Sequence, residues 1–202
     1  MPRWPSPSSI AMKPLILAFG DSLTEGYGLA ASQSFASQLE ALLKVHHADA
    51  QVINAGISGN TTSSALTRLP RVLSGLCATP DLVIVELGAN DLLRGIPLET
   101  TRANLATILI ELKRCGLPVL LAQMDPPRFL GAFGQTCSAI YADLGRRHGV
   151  PVAPFLPAGI IGSPLLTLRD RVHPNAAGTA LIAKAFLPSV EAALQADWKR
   201  AA

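Results

Sequence analysis

The chain has 202 residues, 49% of them hydrophobic and only 15% charged, and a net charge of +3. That composition excludes a disordered chain, which combines low hydrophobicity with high charge, and the length suits one domain of the usual roughly 100–200 residues. The 17 Lys and Arg are scattered, so no nucleic-acid groove is indicated, and no run approaches the ~18 consecutive apolar residues of a membrane-spanning segment.

Met1–Met12 carries three prolines and three serines and reads as a loose tail, with Met12 as a candidate start; residues 13–202 form the single domain. Leu15–Phe19, between Pro14 and Gly20, predicts a buried strand. It is shorter than the core of about 7–15 residues in a signal peptide, which points to a cytoplasmic protein, or a periplasmic one if a leader is missing. Phe35, Leu39, Leu42 and Leu43 recur at helical spacing, and Val52–Ala55 predicts a second strand closed by Gly56. Ser63–Leu76 has helical character but contains Pro70, which predicts a kink or restart. Leu82–Leu87 is the strongest strand.

Leu105, Ile108, Leu109 and Leu112 form a clear helical stripe that Gly116 and Pro118 end. Val119–Gln123 predicts a fourth strand, Ala139–Arg147 a helix stopped by Gly149, and Val152–Phe155 a fifth strand. A Pro/Gly-rich loop then runs to about Thr167. The last helix begins near Asn175, is interrupted by Pro188 and resumes towards Leu194. Strands alternating with helices imply βαβ units, and continuous apolar runs imply strands covered on both faces. The predicted fold is α/β: a three-layer α/β/α sandwich of about five parallel strands, their order not readable. Cys77, Cys115 and Cys137 include no CxxC pair, so neither a zinc knuckle nor a redox pair is indicated, and reduced, partly buried thiols are expected.

In such sheets ligands bind beyond the carboxyl ends of the strands. The segments there are Gly20-Asp21-Ser22-Leu23-Thr24, Asn54 to Thr61, Gly88-Ala89-Asn90-Asp91 and, after the fifth strand and its loop, Asp170 to Asn175. Ser22 in a tight strand-to-helix turn can present a nucleophilic hydroxyl; it can equally be a helix N-cap. A nucleophilic serine needs a base. His46, His47 and His148 sit where a helix end suits a positive charge, whereas His173 lies in a loop with Asp170 three residues before it to orient the ring. Asp170 can instead cap a local turn. A developing oxyanion needs donors: Gly56 offers a backbone N–H and Asn90 an amide, although a turn glycine and an Asx turn are common uses of these residues.

Together these blocks resemble the GDSL/SGNH hydrolase family. The match rests on Phe19-Gly20-Asp21-Ser22-Leu23-Thr24-Glu25-Gly26, Asn54-Ala55-Gly56-Ile57-Ser58-Gly59, Glu86-Leu87-Gly88-Ala89-Asn90-Asp91 and Asp170-x-Val172-His173-Pro174-Asn175, in the family's order, and covers roughly Lys13 to Leu194. Leu92-Leu93-Arg94-Gly95 and Ala139-Ile140-Tyr141 resemble the bacterial thioesterase–lysophospholipase–arylesterase branch.

The resemblance implies a flavodoxin-like sandwich with Ser22 as nucleophile, His173 as base and then acid, and Asp170 orienting it. It implies an oxyanion hole of the Ser22 and Gly56 N–H groups and the Asn90 amide, and no metal or organic cofactor. Arg171 stands where the family commonly has glycine. A left-handed backbone there would strain Arg, so Arg171 is expected to point to solvent and to influence substrate charge preference.

Apolar residues in the surrounding loops, above all Ile57, Leu92, Phe129 and Ile160, suit acyl chains or aryl groups, although they can also simply pack the loops down. The function expected is hydrolysis of short-to-medium acyl or aryl esters or thioesters, lysophospholipids included, through an acyl-enzyme. A carbohydrate acetylesterase, an acyltransferase of the same fold and a non-catalytic small-ligand-binding sandwich are the other readings. The expected partner is a small-molecule ester, with no nucleic acid and no integral membrane segment; the oligomeric state is not readable.

Overall fold

The structure, a computed structural model, describes residues 13–126 and 130–201. The tail expected over residues 1–12 and the substrate contact expected at Phe129 lie outside the described residues. Five strands form one parallel sheet: β1 Leu15–Gly20, β2 Gln51–Gly56, β3 Leu82–Glu86, β4 Val119–Gln123 and β5 Val152–Pro154, in the order β2-β1-β3-β4-β5. The helices are α1 Ser22–Glu25, α2 Phe35–Leu43, α3 Thr62–Ser74, α4 Ala89–Leu93, α5 Leu98–Arg114, α6 Gly131–His148 and α7 Ala176–Ala201.

Successive strand residues point to opposite faces, and each face has its own helical cover. On one face Ile16, Ala18, Leu82, Ile84, Leu120 and Ala122 pack with Phe35 and Leu39 of α2 and Ile182, Phe186 and Val190 of α7. On the other, Leu17, Phe19, Val83, Val85 and Leu121 pack with Ala65 and Leu69 of α3, Leu105, Ile108 and Leu109 of α5, and Tyr141 and Leu144 of α6. This double burial explains why the central strands read as unbroken apolar runs. The strand order reverses between β1 and β3, which opens a crevice beyond their carboxyl ends.

Several sequence expectations change. Neither Pro70 nor Pro188 ends its helix: α3 and α7 run through them without a restart. Both prolines are exposed, so the carbonyl each leaves without an N–H partner can turn to water, while the buried stripes hold the helices together. Helix α6 begins at Gly131 rather than Ala139; small residues such as Gly134 and Cys137 are part of its buried face and hid the first turns from an apolar-stripe reading. Cys77 and Cys115 are exposed and only Cys137 is buried, because the first two lie in the loop after α3 and at the end of α5. In α7, Ala176–Ala196 is long and apolar enough by composition to cross a membrane, but its inner stripe belongs to the core.

The end of β3 is fixed from α6. Tyr141, 1% exposed, donates its hydroxyl to the Leu87 carbonyl at 2.8 Å. Gly88 follows with φ 119, and a Cβ there would lie 2.2 Å from the Tyr141 oxygen, so both conformation and space require glycine. Tyr141→Phe, which leaves the Leu87 carbonyl without this donor, is expected to lower unfolding free energy by about 1–3 kcal/mol. Urea denaturation measures this; unchanged stability would show that the bond contributes nothing.

Candidate active site

Ser22 is the first residue of α1, directly beyond β1. The helix is capped by Asp21, whose carboxylate accepts the Leu23 N–H at 3.0 Å. Ser22 is therefore not the cap, and its hydroxyl faces elsewhere: Oγ lies 3.1 Å from His173 Nε2. The Ser22 N–H, at the start of a helix, has no intrahelical acceptor.

His173 comes from a loop 151 residues away in sequence. That loop is anchored by a bridge between Thr167 and Pro174, by Leu168 N–H donating to the His173 carbonyl at 2.8 Å, and by Asn175 N–H donating to the Leu166 carbonyl at 2.9 Å. At its tip Asp170 performs both tasks weighed for it. Oδ1 accepts the N–H groups of Val172 and His173, closing the turn, and Oδ2 lies 2.6 Å from His173 Nδ1. A carboxylate can only accept, so Nδ1 carries the proton and Nε2 faces the Ser22 hydroxyl as acceptor. The His173 contact, followed by the Val172 N–H, holds the Asp170 carboxyl down at about 2. The turn also needs Arg171 at φ 62, the one positive-φ non-glycine residue described. The left-handed backbone that glycine would adopt freely is thus kept, at a strain of roughly 1–2 kcal/mol, with Arg171 exposed to solvent.

Asn90 lies in α4, on the far side of the crevice. It makes no Asx turn. Its Nδ2 donates to Asp21 Oδ2 at 3.0 Å and to the Asn60 carbonyl at 3.1 Å. Gly56 ends β2, where a Cβ would lie 2.2 Å from Glu25 N; the close passage of α1 explains the glycine. Its N–H donates to Asn54 Oδ1 at 3.0 Å. Two of the three expected oxyanion donors, Gly56 and Asn90, therefore hold acceptors within the chain.

Beneath this layer lies an acid pair that the sequence gave no reason to suspect. Glu86, the last residue of β3 and 5% exposed, lies beside Asp21; its Oε2 accepts Asp21 N–H at 3.4 Å and Thr24 Oγ1–H at 2.8 Å. Burial raises both carboxyls, and the neighbouring Asp21 raises Glu86 further, well above the usual range. Asp21 accepts hydrogen bonds from Leu23 and Asn90, and Glu86 accepts them from Asp21 and Thr24, yet burial outweighs these in both carboxyls, most strongly in Glu86. Asp91 is buried too, and accepts Thr62 N–H at 2.8 Å, anchoring the start of α3.

The apolar rim differs from expectation. Ile57 is exposed and Leu92 half-buried, as a substrate contact requires, but Ile160 is packed into the core, and it is Ile161 that faces solvent. Sequence reading missed Tyr27, whose half-exposed ring lies 4.4 Å from the His173 ring at 39°. Its place just after Gly26 was the only available signal. His46 and His47 lie past the end of α2, and His148 ends α6, all away from Ser22 as expected. Among the described residues no group of three or more His, Cys, Asp and Glu is placed to hold a metal ion.

A hydroxyl, an imidazole and a carboxylate in line, beside a cluster of N–H donors, form an arrangement suited to acyl transfer. Comparison with known proteins agrees. The GDSL-like Lipase/Acylhydrolase family model matches residues 18–181, and the chain belongs to this family. It is 37% identical over 161 residues to an arylesterase of Vibrio mimicus, covering 79% of this chain and 80% of that one. It is 35% identical over 161 residues to thioesterase 1/protease 1/lysophospholipase L1 of Escherichia coli K12, covering 79% and 75%. The crystal structure of AlinE4, an SGNH-hydrolase family esterase, superposes with a TM-score of 0.74 at 42% identity, covering 92% of this chain and 99% of that one. The protein is a serine ester hydrolase.

The acid pair sets a pH dependence. A carboxyl raised in the fold keeps a proton that the unfolded chain releases, so stability falls as pH climbs above the ordinary glutamate value. Glu86→Gln keeps a donor towards Asp21 without an ionisable proton. Its stability relative to wild type is expected to improve steadily from about pH 5 to pH 8. Denaturation curves at the two pH values measure this, and parallel profiles would show that Glu86 is not the proton holder.

Proposed function

We propose that Ser22 is the nucleophile, His173 its general base and then acid, and Asp170 the residue that orients the imidazole. The observation that carries the reading is the continuous line from Asp170 Oδ2 through His173 to Ser22 Oγ, at 2.6 and 3.1 Å. Ser22 attacks the ester carbonyl as His173 takes its proton. The carbonyl oxygen becomes an oxyanion facing the Ser22 and Gly56 N–H groups and the Asn90 amide. His173 then gives the proton to the leaving alcohol or thiol. Water, deprotonated by the same ring, releases the acid from the acyl-enzyme. The Gly56 N–H and the Asn90 amide already hold acceptors within the chain, so each shares or leaves one of them as the oxyanion forms.

The substrates proposed are short-to-medium acyl and aryl esters and the corresponding thioesters. The rings and apolar side chains of Tyr27, Ile57 and Leu92 support this, because they offer flat or apolar contact rather than the polar groups a sugar would need. The relatives' own names, arylesterase and thioesterase/lysophospholipase, fall within the same range.

A panel of p-nitrophenyl and thioester substrates of graded acyl length, run beside acetyl-xylan, tests the specificity; faster turnover of acetyl-xylan would overturn it. The roles are tested by mutation. Ser22→Ala is expected to lose both turnover and labelling by a fluorophosphonate. Asn90→Ala is expected to fold normally and to lose about 10²–10³ in kcat. Labelling of Ser22→Ala, or near-normal turnover of Asn90→Ala, would remove that residue from its role.

A further inference from the structure

We infer that Arg68 is a positioning residue for the Asn90 amide. Arg68 lies in α3, half-buried, with its guanidinium 4.2 Å from the centre of the Phe19 ring. Nε donates to Asn60 Oδ1 at 2.6 Å and Nη2 to the Gly20 carbonyl at 2.9 Å. Asn60 is the residue whose backbone carbonyl receives the Asn90 amide at 3.1 Å. Gly20 is the last residue of β1, two before Ser22. One rigid planar fork therefore joins the end of β1 to the loop that holds Asn90.

Stability does not explain an arginine here. Its hydrogen-bond partners are an amide oxygen and a carbonyl, and burial lowers its pKa with no carboxylate acting against it. Withdrawing a cation from water towards neutral partners is unfavourable, and an apolar side chain could cover Phe19 as well. What an apolar side chain cannot do is fix two carbonyl-bearing segments at once. The backbone of the loop is also tied by Ile57 N–H to the Gly20 carbonyl at 3.2 Å, Ser58 N–H to Glu25 Oε2 at 2.8 Å, Asn60 N–H to the Ile57 carbonyl at 3.1 Å and Arg94 Nη2 to the Gly59 carbonyl at 2.8 Å, but none of these grips the Asn60 side chain, which Arg68 does. If Asn60 shifts, one of the two acceptors that aim the Asn90 amide is lost, and the donor is no longer held where the oxyanion forms.

This rests on the oxyanion role proposed for Asn90, and a double-mutant cycle separates the two. Arg68→Met is expected to lower kcat about tenfold on a p-nitrophenyl ester with KM within about twofold, because the contact acts on the transition state. In the Asn90→Ala background the same substitution is expected to lower kcat by no more than about twofold, since nothing is left to position. A full tenfold loss in both backgrounds, a loss in KM alone, or no loss in the single variant would overturn the role of Arg68. Near-normal turnover of Asn90→Ala by itself would instead overturn the oxyanion role. If circular dichroism shows Arg68→Met unfolded, Asn60→Ala carries the same cycle, because it removes the side chain that Arg68 grips and keeps the backbone carbonyl. Equal losses in its two backgrounds would overturn the inference in the same way.

Discussion

The contact between Asp21 and Asn90 holds the two sides of the site together. Asp21 follows β1 and Asn90 follows β3, neighbouring strands whose connections leave in opposite directions and open a crevice. One buried carboxylate spans that crevice. It caps α1, which releases the Ser22 hydroxyl from that duty, and it accepts the Asn90 amide. Its neighbour at that depth is a second buried carboxyl, Glu86, rather than a cation, and burial raises both above their ordinary values. A cation in that place would hold the carboxylate more tightly but would add a fixed positive charge beneath Ser22.

The third part of the site arrives from far along the chain. His173 is brought to Ser22 by a loop tied back on itself at Thr167 and Pro174, with Asp170 closing the turn and orienting the ring in one act. The strained backbone of Arg171 shows how firmly that turn is specified: the conformation persists although the residue suited to it is absent. Tyr27 then covers one face of the imidazole, so the ring is held by a carboxylate on one edge, a hydroxyl on the other and an aromatic ring above.

The fold was legible because a sheet buried on both faces leaves unbroken apolar runs, and all five strands were found close to their observed ends. The candidate site was legible because small and polar residues stand where a core has no use for them: Ser22, Gly56, Asn90, Asp170 and His173 all reach the same edge. Other features were hidden for physical reasons. Glu86 carries no sequence signal of its role, because its partner lies 65 residues away. Arg68 carries none either, because its carbonyl partners belong to two other segments. Pro70 and Pro188 promised breaks that exposure to water makes unnecessary. Ile160 and Ile161 are adjacent and chemically alike, and only the packing of the loop decides which one turns inward.

We propose that a charge developing on the substrate's carbonyl oxygen draws the Gly56 and Asn90 donors away from acceptors they already hold. A crystal structure of the enzyme phosphonylated by a p-nitrophenyl phosphonate tests it most directly. The account predicts a covalent bond from Ser22 Oγ, with one phosphonyl oxygen within hydrogen-bond distance of the Ser22 N–H, the Gly56 N–H and Asn90 Nδ2. It also predicts that Gly56 N–H moves away from Asn54 Oδ1, or shares its proton with it. An adduct on another residue, or a phosphonyl oxygen turned away from Gly56 and Asn90, would contradict it.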